Sequence, residues 1–178
     1  KYLSEREAHH QEWFKSIKPL IEEDQIDQKS NLAEQFYKGV SSRFSHIQAG
    51  LDIPRTEHLD KIWQTFQSGQ KTVIVHGASG QGKTALAYRY LYDFVPDEWR
   101  FQISFIDSRM HAENITLAIA DHLSVFNADL YLYIDVSPRD LEWTALVKSL
   151  LDKPNIKILV TIREEDLARQ NIPNVELG

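Results

Sequence analysis

The residues best suited to do chemistry are concentrated in one run of eight. Gly77-Ala78-Ser79-Gly80-Gln81-Gly82-Lys83-Thr84 fills the pattern G-x-x-x-x-G-K-[ST] without a mismatch. A polyphosphate has to be wrapped by backbone N–H groups, and side chains at Gly77, Gly80 and Gly82 would obstruct either the loop's φ angles or the anion. Lys83 is placed to reach the β- and γ-phosphates as a point charge, and Thr84 to put its hydroxyl on Mg²⁺. Ala78, Ser79 and Gln81 complete the loop, and Ala85 stands among the first N–H groups of the helix that follows. A chance glycine-rich turn is the alternative. The flanks argue against it, since a β-branched strand precedes the loop and a helical pattern through Leu86, Ala87, Tyr90 and Leu91 follows it. The expected ligand is a nucleoside triphosphate.

Three further residues join this loop by position. Asp135 lies near the end of the apolar run Leu130 to Val136, where a carboxylate can hold Mg²⁺ through water. Mg²⁺ retains several waters, so Thr84 and Asp135 suffice as protein ligands. A turn or helix-capping aspartate is the competing explanation. Val136 follows where a second acid would help orient a water, so slow or absent turnover is expected. Arg163 closes the next apolar strand, Ile156 to Ile162, and could sense the γ-phosphate, separating ATP from ADP. Arg55 could meet the base or ribose from upstream. Each has the ordinary exposed arginine as its alternative. Arg109 and Arg139 have no such positional argument. His9 and His10 are adjacent, do not share a helix face and lack a partner cluster, so they read as surface histidines. Trp13, Trp63, Trp99 and Trp143 read as core or interface.

These residues need a scaffold, and the pattern supplies one. Lys1 to about Glu23 looks helical, with Leu3, Trp13, Phe14, Ile17 and Leu20 apolar and Pro19 bending or ending it. A second helix is expected through Leu32, Phe36, Tyr37 and Val40, and a third from His58 to Gln67 with Leu59, Ile62, Trp63 and Phe66 inward. Strands are expected at Thr72–His76, Phe101–Ile106, Leu130–Val136 and Ile156–Ile162, with an edge strand at Asn174–Leu177. A helix from Ala112 to Phe126 follows the second strand. Another, capped by Ser137 with Pro138 first and Asp140 in its opening turn, buries Leu141, Ala145, Leu146 and Leu150. A short acidic helix covers Glu164–Gln170.

Strands alternating with helices imply an α/β fold: a P-loop NTPase of three layers with a mostly parallel five-stranded sheet, preceded by an N-terminal helical segment. Residues 1–51 read as that segment or a linker and 52–178 as the nucleotide domain. Ligands of such sheets sit at the carboxyl ends of the strands, which puts the loop, Asp135 and Arg163 on one rim.

Composition narrows the function classes. The 178 residues are 42% hydrophobic and 26% charged, which suits a folded core rather than disorder. A net charge of −6 argues against a nucleic-acid surface. With no cysteine, disulfides, thiolate metal sites and thiol nucleophiles are excluded. No apolar run is long enough for a membrane span and no signal-peptide pattern is present, so a cytoplasmic setting is expected. The chain opens on Lys1 rather than methionine and is expected to be part of a longer protein.

Taken together, Arg55 in IPRTEHL, GASGQGKT, LYLYID and KILVTIR resemble the nucleotide-binding core of STAND-class signal-transduction NTPases, over roughly Asp52 to Gly178. The resemblance implies that Arg55 touches the adenine nucleotide and Arg163 senses the γ-phosphate. It further implies a switch that rests with ADP, exchanges to ATP when a sensor domain is engaged, and self-associates through its nucleotide domain to activate an effector. Many bacterial members act in defence against phage. Asp135-Val136 departs from the family's usual pair of acids, and the helical and winged-helix domains that normally follow are missing from these 178 residues. Two other readings compete: a scaffold whose nucleotide is never hydrolysed, and a small-molecule kinase, for which no arginine-rich lid is evident. The absence of an N-K-x-D guanine reader favours ATP/ADP.

Overall fold

The computed structural model describes residues 2–22, 33–34, 38, 41–138 and 140–169. In chain order these form α1 (Tyr2–Ser16), β1 (Ile17–Pro19), α2 (Phe44–Gln48), α3 (Thr56–Gln67), β2 (Thr72–Gly77), α4 (Lys83–Phe94), β3 (Arg100–Ile103), α5 (Arg109–Val125), β4 (Leu130–Asp135), α6 (Trp143–Leu150), β5 (Ile156–Arg163) and α7 (Glu164–Arg169). The sheet is open and five-stranded, in the order β1-β3-β4-β5-β2. β3, β4, β5 and β2 run parallel, and only β1 is antiparallel. The molecule is therefore α/β with a mostly parallel sheet.

Near-continuous apolar strands bury both faces, as parallel sheets require. Alternate residues of β4 and β5 feed two separate clusters. Leu132, Ile134, Ile158 and Val160 join Ile115 and Ile119 of α5 and Trp143 and Leu146 of α6. Tyr133 and Leu159 join Phe66 of α3 and Leu86, Tyr90 and Leu91 of α4. Asp135 and Arg163 close two adjacent strands, and Gly77, closing β2, stands beside Arg163.

The fifth strand of the described sheet is one that the sequence pattern does not announce. Ile17–Pro19 leaves the helix and pairs with β3, with Ile17 opposite Ile103 and Pro19 opposite Phe101. Proline lacks an N–H and is tolerated on an edge strand, so Pro19 ends the helix and still fits the sheet. α1 itself lies on α5. Trp13 stacks on His122 at 3.9 Å, and Glu12 meets His111 at 3.1 Å. Within α1, Leu3 and Phe14 are exposed rather than buried. His9 is partly buried and faces Asp121 at 3.4 Å. The expected strand at 174–177 and the expected helix through Leu32, Phe36, Tyr37 and Val40 fall outside the described residues, as does Arg139.

Other elements differ at their ends. β3 starts at Arg100 and stops at Ile103, and the Ser104 N–H beyond it still donates to the Ser16 carbonyl on the β1 side. Arg100 is buried, with Nε on the Leu20 carbonyl, Nη1 on that of Val95 and its guanidinium over the Phe44 ring. α6 begins at Trp143 rather than beside Ser137, which leaves Leu141 70% exposed. Asp140 instead sinks to 2% exposure, and backbone N–H groups of Ile106, Trp143 and Glu142 converge on its carboxylate. Trp63 is exposed on α3, while Leu59, Ile62 and Phe66 are buried there.

Candidate functional site

The glycine loop connects β2 to α4, and its geometry follows from the residue types. Gly82 sits at φ +73°, a left-handed conformation that side chains rarely adopt. A Cβ there would also meet the Arg55 guanidinium at 3.1 Å, so this glycine lets the arginine lie against the loop. At Gly77 a Cβ would lie 2.5 Å from Gln81 Oε1. That oxygen folds over the loop and accepts the Ala78 N–H at 3.1 Å. Lys83 curls back in the same way, its Nζ donating to the carbonyls of Gly77 at 3.0 Å and Ala78 at 2.7 Å. The loop thus pairs the Ala78 N–H and the Gly77 and Ala78 carbonyls internally.

Across the strand ends, the Thr84 hydroxyl donates to Asp135 Oδ2 at 3.1 Å. Thr161 of β5, directly opposite Asp135, donates to its other oxygen, Oδ1, at 2.8 Å. Thr161 in turn meets the hydroxyl of Tyr133 at 2.8 Å. Burial, and after it the Asp135 charge, pushes the Tyr133 phenol well above its ordinary range, so it stays protonated.

The loop, Thr84 and Asp135 border one cleft of about 1000 Å³. Arg55, Ser79, Gly80, Gly82, Lys83, Thr84, Ala85, Asp135 and Arg163 line it, whereas Gly77, Ala78 and Gln81 stand outside its wall. Residues that the sequence did not single out complete the lining, among them Ser41, Ser42, Leu51, Asp52, Ile53 and Tyr88. Arg89 of α4 also borders it, holding Asp52 through Nε at 3.0 Å and the Ile47 carbonyl through Nη2 at 2.9 Å. Arg109 lies elsewhere, exposed and paired with Glu113.

The oxygen pair of Thr84 and Asp135 fits Mg²⁺, a hard cation that takes oxygen donors and keeps most of its waters. Among the described residues no group of three or more His, Asp or Glu side chains could hold a metal. No helix among them is long and apolar enough to cross a membrane. No family model and no curated protein matches this chain.

Proposed function

We propose that this chain is the nucleotide-binding core of a STAND-class signal-transduction NTPase, built on the three-layer P-loop NTPase fold. In this reading it is an ATP/ADP switch in a longer cytoplasmic protein, with slow Mg²⁺-dependent hydrolysis, self-association through the nucleotide domain and a bacterial defence setting. The observation that carries the reading is the convergence of Lys83, Thr84, Asp135, Arg55 and Arg163 on one cleft.

Each residue then has a task. Lys83 exchanges the carbonyls of Gly77 and Ala78 for phosphate oxygens, trading dipoles for a full opposite charge. The α4 N-terminus aims its free N–H groups at the same anion. Mg²⁺, when bound at Thr84 and Asp135, neutralises charge on the β- and γ-phosphates. Arg163, exposed at the end of β5, reads the γ-phosphate, and Arg55 holds the nucleoside from above the loop. Val136 is buried and apolar at the place where a second acid would orient water, which keeps turnover slow.

That same valine favours one alternative, a nucleotide-binding scaffold that never hydrolyses. Titration of ATP and ADP into the wild type and Lys83→Ala, followed by phosphate release, tests both readings. Lys83→Ala is expected to weaken ATP binding about a hundredfold, the worth of one strong charge-assisted contact. Unchanged affinity would remove the phosphate-loop assignment. Tight binding with no phosphate released would select the scaffold.

A further inference from the structure

Two hydroxyls inside the apolar sheet are left without a task by the nucleotide reading. Thr161 and Tyr133 are each 0% exposed, in adjacent strands where valine and phenylalanine would pack as well. Their hydrogen bonds have only one consistent direction. A carboxylate accepts and cannot donate, so the Thr161 proton goes to Asp135 Oδ1. Thr161 has no second proton, so the Tyr133 O–H must donate to Thr161 Oγ1. The result is an ordered chain from the core to the rim, Tyr133 to Thr161 to Asp135.

We propose that Thr161, oriented by Tyr133, is the positioning residue for the Mg²⁺ carboxylate, dictating which oxygen of Asp135 faces the ion. The proposal rests on the nucleotide reading above. Thr84 and Thr161 divide the carboxylate between them, one on each oxygen. A Thr84 hydroxyl turned toward a cation gives up its bond to Oδ2. Thr161, fixed in the sheet, keeps Oδ1 and holds the carboxylate plane. Oδ2 is thereby presented to the waters around the ion without rotating away. Groups that orient a metal-binding carboxylate matter to affinity nearly as much as the ligand itself.

The test separates metal from nucleotide. A fluorescent ATP analogue is titrated in EDTA and then across a Mg²⁺ series, for the wild type, Thr161→Val, Thr161→Ser, Tyr133→Phe and the double variant Thr161→Val/Tyr133→Phe. Thr161→Val is expected to raise the Mg²⁺ concentration at half-effect about tenfold while affinity in EDTA stays within about twofold. Thr161→Ser restores the wild-type midpoint, and Tyr133→Phe gives an intermediate value. The double variant leaves no unpaired hydroxyl in the core, so it keeps the question answerable if Thr161→Val alone does not fold. An unchanged midpoint, or equal losses with and without Mg²⁺, would overturn the positioning role and leave nucleotide binding standing. A wild type that binds no analogue under any condition would remove both proposals.

Discussion

Asp140 carries a cost that its surroundings only partly offset. It is almost fully buried, and one of its carboxylate oxygens has no hydrogen-bond partner. Burial outweighs the N–H groups of Ile106, Trp143 and Glu142 and the pull of His111, so its pKa rises to about 6 from an ordinary 3.8. The folded state therefore holds this proton more tightly than the unfolded chain does. The associated stability is full below pH 4 and is lost as pH rises through about 6. Asp140→Asn keeps an acceptor for the N–H groups without the charge. Relative to wild type, it is expected to gain on the order of 1 kcal/mol between pH 4.5 and 7.5 in denaturant melts. A constant difference across that range would show that the buried charge is not the cause. Sequence alone gave Asp140 a helix-dipole role, because its burial depends on the backbone at Ile106 folding over it. Thr161 and Tyr133 were missed for a related reason. Inside KILVTIR and LYLYID they read as ordinary strand-filling residues, and only the β4–β5 register aligns them with Asp135. The phosphate loop was legible because its residues are contiguous.

At the scale of elements, α4 does two jobs. Its first turn carries Lys83 and Thr84, and about two turns on Arg89 grips Asp52 and the Ile47 carbonyl of α2. Arg89 and Asp52 side chains are only 11% and 6% exposed. The stretch bearing Arg55 is thus fastened to the helix that would hold the phosphates. Arg89→Ala is expected to lower stability by about 3 kcal/mol, because it strands a buried carboxylate. The double variant with Asp52→Ala should lose clearly less than the sum of the singles in urea melts. Strict additivity would mean that the pair does not hold the segment. The four parallel strands were readable because each is an apolar run bounded by turns and separated by a helix. β1 was not, since three residues continuing a helical pattern carry no period of their own, and their partner is β3.

For the whole molecule, the switch reading makes a demand on energy. Driving a two-state protein almost fully from one form to the other needs about 5.5 kcal/mol of difference between ATP and ADP. In that reading Arg163 is the residue that would tell the two nucleotides apart. In sedimentation velocity with Mg²⁺, wild type is expected to change size or shape between ADP and ATP. Arg163→Ala should bind both nucleotides and give the ADP profile with either. Identical wild-type profiles would instead favour the scaffold.

The small antiparallel strand has a consequence for how the chain comes together. During synthesis Ile17–Pro19 is made long before Arg100–Ile103, so it emerges with no strand to join. Closing so long a loop is entropically slow, and local helices and the β4–β5 pair can form sooner. In the interval β3 presents an open edge to any neighbouring chain. Once β1 docks, Pro19 offers no N–H along the outer rim, and further strands find one fewer donor to add to.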